Sequence, residues 1–125
     1  MKNFFPIVTL LAGLSANAAQ TQSTDPLQTF AQCAGRLSAV MEYQWMFDGE
    51  ASEQTALQRA DLLDLIEAIK PLDQGRTVLH WRLSAKRAHS ALLTRATFNQ
   101  DSDDAAWALQ IAKQQVANCT SLLLS

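Results

Sequence analysis

Residues 25–49, DPLQTFAQCAGRLSAVMEYQWMFDG, decide the fold. Asp25 can cap a helix, and Pro26 stands at the first helical position, where its missing N–H costs nothing. Behind them Leu27, Phe30, Ala34, Leu37, Met41 and Trp45 recur at alternating three- and four-residue steps, the spacing of one helical stripe. Gly49 is the expected stop. Outward from this helix, a second is expected from near Ser52, with Ala56, Ala60 and Leu63 on one side and Leu62, Leu65, Ile66 and Ile69 on another. Pro71 and Gly75 end it or bracket the turn. A third is expected from about Arg76 to Phe98 on the stripe Val78, Trp81, Ala85, Ala88, Leu92 and Ala96, broken by Asn99 to Asp101. The fourth opens at a capping Ser102, with Asp103 and Asp104 at the positive end of its dipole. Its stripe is Ala105, Ala108, Leu109, Ala112, Val116, Cys119 and Leu123. No segment alternates with the two-residue period of a strand, and the turns are short. The expected architecture is therefore all-α, an antiparallel four-helix bundle in up-down-up-down order spanning residues 25–125.

Ahead of the bundle, residues 1–18 read as a cleavable signal peptide. Lys2 gives a positive start, Phe4 to Leu14 an apolar run, and Ser15-Ala16-Asn17-Ala18 a small-residue exit, with cleavage after Ala18. Residues 19–24 read as a disordered connector. The apolar run is short for a membrane span and its C-terminal flank is polar, so no stable span is expected after cleavage. Export to a periplasm, or secretion, is the expected localisation.

An exported chain meets a non-reducing compartment, which bears on its two cysteines. Cys33 lies about two turns into the first helix and Cys119 a similar distance from the end of the fourth. In an up-down-up-down bundle they share one level, and a Cys33–Cys119 disulfide is expected. A loop this long is stabilised by roughly 4–5 kcal/mol in the chain-entropy account. There is no C-x-x-C arrangement to activate a thiol.

The composition narrows function by exclusion. With 125 residues, 48% hydrophobic and 18% charged, the chain suits one core and is neither disordered nor polytopic. Removing Lys2 from ten Lys and Arg leaves nine against twelve Asp and Glu, a mature net charge of −3. That balance, with a pI near 5.5, argues against nucleic acid as a partner. His80 and His89 are nine residues apart on one helix, hence on opposite sides, and read as surface or edge histidines rather than joint metal ligands. No motif for a di-iron site, covalent haem or a nucleophile elbow is present, so no catalytic residue, metal or cofactor is assigned. A haem bundle would draw on Met41 or Met46 with a histidine, but Met41 reads first as packing.

Charge is distributed by segment. Gln74 to Gln100 holds five bases and no acid, whereas Glu50 to Asp73 holds six acids against Arg59 and Lys70. The plain account is pairing between neighbouring helices across their solvent edges. The functional account is a basic strip of Arg76, His80, Arg82, Lys86 and Arg87 that receives a carboxylate, a phosphate or an acidic partner. Arg36 reads as solvated, and Glu42 as an edge carboxylate within reach of a third-helix base. A second candidate surface is apolar: Tyr43 and Phe47 projecting from the first helix, with Trp107 and Ile111 on a secondary ridge of the fourth. These features point to a non-catalytic binding module whose partner is a protein or a small anion in the cell envelope. The alternative is a small helical enzyme or a haem or metal carrier acting in the bundle core.

Overall fold

A computed structural model describes residues 25–124. The signal-peptide and connector expectations for residues 1–18 and 19–24 lie outside the described residues. Within them the chain is an all-α bundle of four helices, α1 Pro26–Phe47, α2 Gly49–Ile69, α3 Gly75–Phe98 and α4 Ser102–Ser121, with a 3₁₀ turn at Leu72–Gln74. No strand occurs among the described residues, and none of their helices is long and apolar enough to cross a membrane. Cross-helix bonds fix the directions. Thr55 with Gln44 and Arg59 with Ser38 set α2 antiparallel to α1, the approach of Gly35 to Arg82 with the bond of Tyr43 to Thr97 sets α3 parallel to α1, and Arg95 with Asp104 and His89 with Gln115 set α4 antiparallel to α3.

The helix ends follow from side chains that serve orphan backbone groups. The Asp25 carboxylate accepts from Leu27 N at 3.0 Å, with Pro26 at the first position as expected. The break between α1 and α2 falls at Asp48 rather than at Gly49. Asp48 N donates to Gln44 O at 2.7 Å while its carboxylate accepts from Ala51 N at 3.2 Å, so one residue ends one helix and caps the next. Gly49 and Gly75 are accordingly the first residues of α2 and α3, not stops, and α2 begins ahead of Ser52. Asp101 caps α4, accepting from both Asp103 N and Asp104 N, and Ser102 is the first helical residue rather than the cap.

The core gathers Leu27, Ala31, Cys33, Ala34 and Leu37 of α1, Leu62 and Ile66 of α2, Val78 of α3 and Cys119 of α4. The Cys33–Cys119 disulfide joins α1 to α4 with 5.4 Å between Cα atoms. In the α1 stripe Leu27, Ala34 and Leu37 are buried, while Phe30 and Met41 are half-buried. Beyond Met41 it fails: Trp45 is 62% exposed, with Met46 and Phe47 exposed beside it. The wide arc expected of α2 also narrows, since it buries Ser52, Thr55, Leu62 and Ile66 while Leu57, Leu65 and Ile69 face solvent.

That narrowing reflects how the helices are arranged. α1 is central, packed against both α2 and α3, and α4 rests mainly on α3. In a square bundle α1 and α3 would sit on a diagonal and touch little. Here they cross in close contact at Gly35, where a Cβ would collide with the carbonyl oxygen of Arg82 and come within 3.0 Å of Lys86 N. Pulling α3 onto α1 leaves α2 at most marginal contact with α3. A cleft remains between α2 and α3, floored by α1.

Candidate functional site

The floor of this cleft is Gly35 and Ser38, and its walls are Arg59 from α2 with Leu79, Arg82, Leu83 and Lys86 from α3. The enclosed volume is about 100 Å³, which is room for several waters or one small oxyanion. Buried Ser38 is a fixed anchor: its hydroxyl donates to Ala34 O at 2.9 Å and accepts from Arg59 Nε at 2.6 Å. This holds the Arg59 guanidinium in place over α1. Arg82 faces the same space, and its Nε is buried without a hydrogen-bond partner. Burial lowers its pKa, and the nearby Arg59 charge lowers it further, with Glu67 acting weakly in the opposite direction. Lys86 stands at the rim in a 2.6 Å ion pair with Glu42. Two guanidiniums therefore converge on one pocket without a carboxylate bonded to either.

Of the five strip residues expected to act together, the cleft brings in Arg82 and Lys86. Arg76, His80 and Arg87 are exposed on other parts of the α3 surface. Arg82 and Lys86 are one helical turn apart and so share the ribbon of α3 that lines the cleft. Arg59 completes the set. It was visible as one of only two bases in an acidic segment, but only the three-dimensional pairing of α2 with α1 shows that it points inward.

Charge pairing between helices also occurs. Glu42 meets Lys86 across α1 and α3, and Arg95 meets Asp104 at 2.5 Å across α3 and α4. The Arg95 contact holds the Asp104 carboxyl below its usual range, with Asn99 bonded to the same carboxylate at 2.5 Å. The one ion pair formed by the α2 acids among the described residues is internal, Glu67 with Lys70. Across the cleft no α2 carboxylate is ion-paired with an α3 base, and Glu67 acts on Arg82 only at longer range.

Two side chains read as solvated lie inside. His89 is 1% exposed, with Nδ1 3.0 Å from Gln115 Oε1 and a buried Nε2 that has no partner. Ala88, expected on the stripe, is exposed instead. Arg36 is half-buried with Nη1 3.8 Å from Cys119 Sγ, and burial lowers its pKa. The apolar candidates separate into two places. The Tyr43 and Phe47 rings stack with centroids 4.7 Å apart. Tyr43 is half-buried rather than projecting, its hydroxyl bonded to Thr97 at 2.8 Å, while Phe47 is exposed. Trp107 lies under the Arg95 guanidinium, 5.1 Å from its ring centroid, and Ile111 is half-buried. Among the described residues no three His, Cys, Asp or Glu come together as a metal site. Comparison of the chain with models of protein families, with curated proteins and with solved structures found no match to any of them.

Proposed function

We propose that this protein is an exported, non-catalytic binding module whose α2–α3 cleft holds a small oxyanion, a phosphate, sulfate or carboxylate group, between Arg59 and Arg82 with Lys86 at the rim. The observation that carries the reading is the convergence of two guanidiniums, one pinned by Ser38 and the other with a buried unbonded Nε, around a pocket whose lining contains no carboxylate. Holding like charges together raises the free energy of the empty site, and an oxyanion relieves it through charge-assisted, geometrically matched hydrogen bonds. Export is supported by the N-terminal pattern of Lys2, an apolar run and a small-residue exit, and by a disulfide, which persists in oxidising compartments.

Isothermal titration calorimetry at low ionic strength tests the site, using inorganic phosphate, sulfate and acetate against the wild type and Arg82→Gln. Charge-assisted hydrogen bonds contribute about 1.5–3 kcal/mol each, so the variant is expected to bind at least about tenfold more weakly while remaining folded by circular dichroism. No binding by the wild type, or equal binding by the variant, would refute the reading.

A further inference from the structure

At the end of the bundle where α1 and α3 finish and α2 and α4 begin, large apolar side chains come together outside the core. Trp45, Met46 and Phe47 close α1, Phe98 closes α3 and Trp107 stands in the second turn of α4, and all five are exposed. Contacts hold them at one end. Met46 and Phe98 line one groove of about 260 Å³ between α1 and α3. Phe47 stacks on Tyr43, whose hydroxyl bonds Thr97 beside Phe98, and Trp107 lies against Arg95, three residues before Phe98. Single exposed apolar residues are ordinary, but a cluster of aromatic and methionine side chains is the composition of a protein-binding surface.

The charge around this surface selects the partner. Residues 41–57 and 91–109, which form this end, hold seven of the chain's twelve acids and one of its ten bases. Glu42 pairs with Lys86 and Asp104 with that one base, Arg95. Asp48, Glu50, Glu53, Asp101 and Asp103 are exposed and have no ion-pair partner among the described residues. Helix dipoles account for acids at the starts of α2 and α4, but not for the apolar side chains beside them. A second copy docked end to end about a two-fold axis would bring the two sets of acids together, and an anionic lipid surface would be repelled in the same way. We infer that this end of the bundle docks a basic amphipathic segment of another protein. Its apolar residues lie on the aromatic surface, one of them anchored in the Met46–Phe98 groove, while its lysines and arginines face the five carboxylates. The groove shares no lining residue with the α2–α3 cleft, and docking here does not depend on anion binding there.

The test uses three helical peptides: one of leucine and lysine at amphipathic spacing, one with glutamate in place of lysine, and one with serine in place of leucine. With the disulfide-bonded protein, affinity is read from the anisotropy of labelled peptide and location from the indole N–H resonances in ¹H–¹⁵N NMR. The leucine–lysine peptide is expected to bind at least about tenfold more tightly than either of the others and to shift Trp45 and Trp107 more than Trp81. Met46→Ser with Phe98→Ser should weaken it about tenfold, and Glu50→Lys with Glu53→Lys should weaken it and flatten its salt dependence. All four positions are exposed, and circular dichroism checks that the variants stay folded. No binding, equal binding of the leucine–lysine and serine–lysine peptides, or shifts confined to other parts of the molecule would overturn the inference. Self-association through this end in sedimentation velocity would overturn it in favour of a second copy. Shifts of Trp45 and Trp107 on phosphatidylcholine vesicles but not with the peptide would overturn it in favour of a lipid.

Discussion

His89 is held neutral by its surroundings, chiefly by burial and then by the Arg36 charge, with the Gln115 hydrogen bond opposing them in part. Its folded pKa therefore lies below the ordinary value near 6.5, and the unfolded chain binds the proton first as pH falls. The sign follows from linkage. The stability due to neutral His89 is complete above about pH 6.5 and is lost as pH falls from there toward the folded pKa. Thermal denaturation at pH 8, 7, 6 and 5 is expected to show a falling Tm over the acidic part of that range, and His89→Phe is expected to flatten it. An unchanged slope in the variant would show that the titration belongs to other groups. The sequence concealed this residue for a definite reason. Val78, Trp81, Ala85, His89, Leu92 and Ala96 keep three- and four-residue steps as well as the same series with Ala88 does. Spacing admitted either residue, hydrophobicity favoured alanine, and packing against α4 buries the histidine through Gln115.

Between elements, the controlling feature is the crossing of α1 and α3 at Gly35. A glycine inside a helix costs about 1 kcal/mol relative to alanine, so on propensity alone Gly35→Ala would stabilise the protein. The added methyl group, however, meets the Arg82 backbone carbonyl, which cannot swing aside as a side-chain tip would. Overpacking of this kind costs about 1–3 kcal/mol or more. Chemical denaturation is expected to show Gly35→Ala destabilised by about 1–2 kcal/mol, and a more stable variant would contradict the close crossing. The same substitution should weaken anion binding, because the cleft exists only while α3 is drawn onto α1. The existence of all four helices was legible in the sequence from Pro26, the apolar stripes and the Asn99–Asp101 break. Their exact joints were less so. Asp48 both ends α1 and caps α2, a double use that spacing does not distinguish from a glycine stop one residue later. The mid-helix glycine itself was a readable signal, since such a residue tends to be kept for close backbone approach.

Across the whole molecule, the disulfide and the charge pattern act on one geometry. Cys33–Cys119 ties the central helix to the last one at the level of the core, and the similar distances of the two cysteines from the ends of residues 25–125 made that pairing legible. The segment charges were equally plain, but their meaning depended on which helices touch. Because α2 rests on α1 and barely meets α3, its acids form no ion pair with the α3 bases, and Arg59 lines the same pocket as Arg82. The central claim is that this convergence holds an oxyanion. The most direct measurement is an anomalous difference map from crystals soaked in selenate, collected for the wild type and Arg82→Gln. The account predicts a selenium peak within hydrogen-bonding distance of the Arg59 and Arg82 guanidiniums above Ser38, and its loss in the variant. Ordered selenate elsewhere with none in the cleft, or the Glu67 carboxylate filling the cleft as an internal counter-ion, would contradict it.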